Sequence, residues 1–376
     1  MAAQKNAPLH RDPNIPRRQK DADFRFLEIL LECSKYYGAI PVQVQKNGYL
    51  PKLHRWIVLT LLLFFVAQTC ISLPTPDSIL TLLQIIWQVI DICFLYSSVY
   101  QANFSTSENW SLLLRYLSAS EELLGKLGFH SQNQQLKISM QIFSIWTCSF
   151  LLIAWNVFFL IREPTGNFAS YSWLIVNIYV TTFITIIFLL TKILQRRYRH
   201  IHTKIGRQLR KNHLEAFELD FENTVKLLRT MHEVVKQMNS IFGWQFFFFV
   251  NIIIIRVVYS CFIAVFFLNP SNPGKQVETV LYVISLILLV LPCDLLEETS
   301  KDIVKTCYAS HLRIADERTR DRLMDLGRYA VDWKPALSAA GFFAIRKECL
   351  NSAFENFVTY LVVSIQFKMS LDSSDT

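Results

Sequence analysis

The chain is short of charge. Only 18% of its 376 residues are Asp, Glu, Lys or Arg, against about 25% in a typical soluble domain. That deficit points away from an ordinary soluble protein and toward the membrane. Its eight cysteines do not make a disulfide framework. Cys33, Cys307 and Cys349 fall in polar segments, and the other five lie inside apolar runs. Ten glycines are scattered with no Gly-x-Gly, no phosphate-binding loop and no Gly-x-Ser-x-Gly elbow. There is no His-Glu-x-x-His string either, so catalysis has no sequence support and no cofactor is implied. None of the eight histidines stands beside a Cys or carboxylate at metal-ligand spacing, so no metal site is expected. No apolar run precedes Trp56, which is too late for a cleavable signal peptide.

Hydrophobicity is what the chain has in abundance, at 52% of residues with 29 phenylalanines. The apolar residues fall into seven runs, at 56–73, 79–100, 138–161, 172–194, 242–268, 277–296 and 351–368. Each is long enough to cross a hydrocarbon core of ~30 Å as a helix. The expected fold class is therefore an all-α membrane protein with seven transmembrane helices. The last run carries Asn351, Glu355 and Asn356 in its first half. Such a helix suits protein or water neighbours better than lipid on all sides.

Lys and Arg set the orientation. With a cytosolic N-terminus, the cytosolic segments 1–55, 101–137, 195–241 and 297–350 hold 33 of the 38 basic residues. The opposite side holds three, Arg162, Lys275 and Lys368, which places the C-terminus outside. The +8 net charge is explained by this bias and by attraction to an anionic leaflet, with no nucleic-acid partner. G-protein-coupled receptors have the opposite orientation, and neither of their Asp/Glu-Arg-Tyr and Asn-Pro-x-x-Tyr strings occurs here. Paired internal repeats, the mark of many transporters, are also absent. The sequons at Asn103 and Asn109 fall on the cytosolic side and are read as chance matches.

The cytosolic segments are periodic. Phe217, Phe221, Val225, Leu228, Met231 and Val235 recur at steps of three and four, as on one face of a long amphipathic helix. The expectation is that the fourth, fifth and sixth spans continue into the cytosol and pack together. Asp91 and Arg256 are the most costly residues, each near the middle of its span. They pair with one another or with backbone groups, or one of them lines a ligand cavity. Odd spans run outward and even spans inward, which selects the shallow polar and aromatic residues of an outward-facing small-molecule site. These are Trp87, Gln88, Trp155, Asn156, Asn177, Tyr179, Tyr259 and Tyr282, with Asp91 and Arg256 below them.

The last run contains Thr359-Tyr360-Leu361-Val362-Val363-Ser364-Ile365-Gln366-Phe367. A Thr-Tyr pair, five mostly apolar residues and then Gln-Phe resembles the C-terminal signature of insect gustatory receptors. Ser338-Ala339-Ala340-Gly341-Phe342-Phe343 resembles the segment leading into that helix, and Met238-Asn239-Ser240-Ile241-Phe242-Gly243-Trp244 the one before the fifth span. The inverted seven-helix layout agrees with that family and with the related odorant receptors. The resemblance implies a ligand-gated cation channel, a homotetramer or a heteromer with other gustatory subunits, in the plasma membrane of sensory dendrites. It implies a cytosolic segment 1–52, a ligand-binding bundle 53–296, an anchor segment 297–350, a pore helix 351–368 and an outer tail 369–376. It places the gate at Gln366 and Phe367, with Val363 and Thr359 on the Phe367 face and Tyr360 packing the helix. Sugar-detecting members commonly have Glu after the Thr-Tyr pair, where this chain has Leu361. A bitter compound or contact pheromone is therefore the expected tastant. An odorant receptor subunit needing a co-receptor is the main alternative, and a G-protein-coupled receptor a weaker one.

Overall fold

The computed structural model describes residues 79–100, 107–129, 169–210, 214–266 and 273–374, with isolated helical positions at Leu27, Leu30, Trp56, Thr60, Leu63, Val66, Ala67, Thr147, Phe150 and Ala154. The first and third apolar runs, the N-terminal segment 1–52, and residues Trp155 and Asn156 thus lie largely or wholly outside the described residues. Among the described residues there are seven helices and one small hairpin. The helices are α1 (Ile79–Tyr100), α2 (Ser107–Lys126), α3 (Ala169–Arg210), α4 (Leu214–Phe266), α5 (Pro273–His311), α6 (Glu317–Asp332) and α7 (Lys347–Ser374). Strands β1 (Ser338–Ala339) and β2 (Phe343–Ala344) stand between α6 and α7.

Among the described residues, four helices contain stretches long and apolar enough to cross a membrane, within Thr81–Tyr100, Ile175–Arg210, Glu215–Ile263 and Thr279–His311. Three of them are much longer than a bilayer requires. At ~1.5 Å per residue, a hydrocarbon core takes about 20 residues, whereas α3, α4 and α5 have 42, 53 and 39. The apolar runs therefore continue without a break into the charged, periodic segments. No glycine or proline interrupts the join between Phe217 and Phe242 on α4. Pro292 sits inside α5, which continues past it.

α1 shows how the apolar helices divide their faces. Trp87, Asp91, Phe94, Leu95 and Val99 are buried, whereas Leu82, Ile86, Val89, Tyr96 and Tyr100 are exposed. The buried set repeats at three and four and turns toward protein; the exposed set suits lipid. Phe183 of α3 is the hub of the bundle. Its ring lies 6.0 Å from Phe94 and 5.2 Å from Phe246, and it also meets Phe242 and Phe249. The threonine hydroxyls of α3 in this apolar interior are satisfied within the helix. Thr181, Thr185 and Thr191 each donate to the carbonyl four residues back, at 2.7–2.8 Å.

α2 was not foreseen as a separate helix. It packs along α4, with Trp110 edge-on to Phe242 at 5.3 Å. Glu108 and Lys126 complement its two ends. Gly128, with φ of +80°, ends it: Phe129 N donates to Leu124 O and Gly128 N to Gly125 O. Asn109, one of the two sequon asparagines, donates to Ser240 Oγ at 2.8 Å.

The extended ends of α3, α4 and α5 are tied by polar contacts. His202 bonds Thr306 at 2.9 Å, and Asp220 accepts from Lys204 at 2.6 Å and Gln208 at 2.7 Å. Glu218 takes Arg318 and Arg322 from α6. Asp316 caps α6, accepting from Thr319 N at 2.9 Å. α7 is longer than the sequence pattern suggested: its helix runs to Ser374 rather than ending at 368. Residues 369–374 contain neither proline nor glycine to stop it.

Candidate functional site

Three of the polar and aromatic residues chosen from the apolar runs, Trp87, Asp91 and Tyr282, lie against Arg256. Its guanidinium lies between two rings, 3.8 Å from the centroid of Tyr282 and 4.3 Å from that of Trp87. Asp91 Oδ2 accepts from Arg256 at 3.3 Å. Trp87 also meets Tyr259, at 5.8 Å between centroids. The Tyr282 hydroxyl donates to Asn177 Oδ1. All are buried, Arg256 to 3% exposure and Asp91 to 5%.

Each helix supplies its member for a simple reason. Trp87 and Asp91 are four apart on α1 and share its inward face, with Gln88 beside them. Arg256 and Tyr259 are three apart on α4. Asn177 comes from α3 and Tyr282 from α5. A charge in this interior is tolerated because Asp91 balances it and two ring faces accept the cation. Asp91 and Arg256 therefore pair with one another, beside Trp87 and Tyr282.

Tyr179 is buried but lies two residues from Asn177, off that helix face. On α7, Thr359, Tyr360, Val363 and Gln366 are exposed, and the side chain of Phe367 lies outside the described set. Thr359 Oγ1 donates to Glu355 O at 2.9 Å. α7 packs chiefly on α4 and α5. Val358, Val362, Val363, Ile365 and Met369 remain 40–67% exposed, a large apolar surface on one helix.

The two other signature segments meet each other. Asn239 Nδ2 donates to Ala336 O at 2.9 Å, and Ser338 N donates to Asn239 Oδ1 at 2.9 Å. One amide thus clamps the strand that opens the hairpin. The hairpin turns through Ala340 and Gly341, with φ of +50° and +85°, and Phe342 N closes it on Ala339 O at 2.9 Å. A Cβ on Gly243 would sit 3.0 Å from Ala340 N and 3.1 Å from its Cα, so a larger residue there would press on the hairpin backbone. Phe342 covers the joint, 5.0 Å from Phe247 and 6.0 Å from Trp244. Below it, Glu297 of α5 is 3% exposed and takes Lys301 at 2.9 Å, Lys334 at 2.7 Å and Arg346 at 2.6 Å. Lys347, the first residue of α7, pairs with Glu298 at 3.2 Å.

The asparagine clamp and the Glu297 cluster were missed from sequence. Part of the signal for the first is in the sequence, because Asn239 and Gly243 fall in the Met238–Trp244 string and Ser338 opens the other. Nothing in sequence spacing joins positions about 100 residues apart.

Among solved structures, the insect olfactory receptor OR5 from Machilis hrabei in complex with eugenol shares 14% identity, with a TM-score of 0.65 over 92% of this chain and 97% of that one. A second structure of the same receptor gives a TM-score of 0.63 at the same identity and coverage. At that identity the likeness shows the fold. No curated protein sequence matches. The model of the 7tm chemosensory receptor family matches residues 27–371, nearly the whole chain, and the chain belongs to that family.

Proposed function

We propose that this chain is a gustatory receptor subunit, a non-selective cation channel of the plasma membrane opened by a small-molecule tastant. Its α7 helix supports this most strongly. The helix carries the Thr359-Tyr360…Gln366-Phe367 string, and its valines and Ile365 stay exposed when one copy stands alone. Apolar surface of that extent needs lipid or other subunits. Four such helices around an axis would face Thr359, Val363 and Phe367 inward, and Phe367 with Gln366 would close the path by excluding water. The tastant would bind at the Trp87–Arg256–Tyr282 cluster; a bitter compound or contact pheromone fits better than a sugar. The Machilis receptor's complex with eugenol supports a small ligand for this fold. The clamped hairpin and the Glu297 cluster link the bundle to α7, which gives ligand binding a route to the gate.

The olfactory receptors among the structural neighbours favour a second reading, an odorant subunit that needs a co-receptor. Cation currents from the chain expressed alone and with the odorant co-receptor separate the two. Current without the co-receptor supports the gustatory reading; current only with it supports the odorant one. Epitopes at the two termini test the orientation: the C-terminal one should label in intact cells and the N-terminal one should not.

A further inference from the structure

Lys192 is a half-buried cation in the last turn of the apolar run 172–194. Its ammonium lies 5.5 Å from the centroid of the Phe188 ring and donates to Gln195 Oε1 at 3.4 Å. Gln195 is held in turn, since its Nε2 donates to Thr299 Oγ1 of α5 at 3.5 Å. The charged groups that act on Lys192 are Arg199 and Arg196, both positive. α3 contains no Asp or Glu anywhere in Ala169–Arg210. Arg199 is exposed, and among the described residues neither it nor Lys192 pairs with a carboxylate.

Lys192, Arg196 and Arg199 are spaced by four and three, so they form a row on one face of α3. The neighbouring helices take other faces. Arg197 donates to Ser120 of α2, and Lys204 to Leu127 O beyond it at 2.7 Å. Gln195 and His202 meet Thr299 and Thr306 of α5. At about 100° per residue, the centre of the Lys192 row is turned roughly 80° from the pair that meets α5 and roughly 120° from the pair that meets α2. From Lys192 to Arg199 the row is about 10 Å long.

Like charges in a row at the edge of an apolar medium repel, and an anion set against them offsets that cost. At the end of a membrane span the anions at hand are lipid phosphates, which basic cytosolic pockets hold. Lys192 keeps N–H donors beyond the one given to Gln195, and a guanidinium offers a planar fork to phosphate oxygens. A row of this length suits a headgroup with phosphates at two levels. Resting on the orientation proposed above, with α3 ending in the cytosol, we infer that Lys192 and Arg199, with Arg196 between them, bind the headgroup of a phosphorylated inositol lipid of the inner leaflet. Its phosphodiester meets Lys192 at the boundary, and a ring phosphate meets Arg199 further into the cytosol. Arg207 and Arg210 are also exposed. They stand about four turns or more beyond Lys192, over ~20 Å away and well past a screening length of ~8 Å, so they take no part.

The test uses the full chain purified in detergent and a fluorescent short-chain phosphatidylinositol bisphosphate, with binding read as fluorescence anisotropy. Phosphatidylcholine with the same label should not bind above background. The water-soluble headgroup alone should compete only weakly, because it lacks the acyl chains that bring it to the boundary. Lys192→Gln and Arg199→Gln should each weaken binding about fivefold, and Arg210→Gln should leave it unchanged. General attraction to a basic chain would instead lower affinity equally at Arg210. That result, equal binding of phosphatidylcholine, or no binding overturns the inference. So does a headgroup that competes as well as the lipid, which would make the row a site for soluble phosphates. If Lys192→Gln does not fold, the comparison of exposed Arg199 with exposed Arg210 decides alone. Binding in detergent does not depend on which side of a membrane α3 ends. Reversed terminal epitopes would therefore refute the orientation and the inner-leaflet source and leave the binding row standing. Absent binding with the epitopes as expected would refute the row alone.

Discussion

Replacing Asn239 by Ala removes both hydrogen bonds that hold the hairpin to α4. Each such bond contributes about 1 kcal/mol net, and unmade buried partners cost more. Ala336 and Ser338 are half-buried, so water can replace part of what is lost. The expected loss is about 2 kcal/mol in unfolding free energy. Asn239→Asp keeps the acceptor for Ser338 N and loses only the donor to Ala336 O, so it should cost about half as much. Denaturant unfolding of the purified chain in detergent, followed by tryptophan fluorescence, measures both. Because the hairpin leads directly into α7, the Ala variant should also raise ligand-independent current. Stability within about 0.5 kcal/mol of the parent, with unchanged basal current, would refute the clamp, since typical surface substitutions fall in that range.

The Asp91–Arg256 pair should behave as a unit. Asp91→Asn or Arg256→Met alone leaves a buried charge uncompensated and should cut folded surface expression sharply, whereas the double variant should recover much of it. Glu297→Leu should cost about 2 kcal/mol, because Lys301, Lys334 and Arg346 then face one another without their carboxylate, a loss tempered by their partial exposure to water. Equal thermal stability of that variant and the parent would contradict it. The hydrogen bond from Thr319 holds the Asp316 carboxyl below its ordinary value. Its folded-state pKa is depressed, so its contribution is full above the unfolded value and is lost as pH falls through the lower folded one. Protection of the Thr319 amide from hydrogen exchange, corrected for intrinsic rate, should therefore fall in strong acid and should be lower in Asp316→Ala at neutral pH.

Much of the fold was legible because lipid makes a severe demand. A helix that crosses a bilayer must be apolar for about 20 residues, and runs such as 79–100 satisfy that openly. The continuation of α4 from Leu214 was legible too, because Phe217 to Val235 keep a helical period. α2 was less visible, since Ser107–Lys126 is polar enough to pass for a loop until Trp110, Leu113 and Leu117 are seen to share a face. In the candidate site, the cost of burying charge singled out Asp91 and Arg256 in advance. Trp87 and Tyr282 were chosen as shallow aromatics, and only the fold reveals that they hold one guanidinium between them. The clamp at Asn239 and the ions around Glu297 come from tertiary contacts that leave no period in the sequence.

The central claim is that α7 lines a cation pathway. Cysteines placed singly at Thr359, Val363, Gln366 and Phe367, and at Leu361 on the opposite side of the helix for contrast, test it when a positively charged thiol reagent is applied from outside during current. The parent chain, with its native cysteines, is treated alongside. The account predicts that modification blocks current at Val363, Gln366 and Phe367, more weakly at the deeper Thr359, and leaves Leu361 as the parent. Block that is absent throughout, or equal at Leu361 and at the Thr359–Val363–Phe367 face, would contradict it.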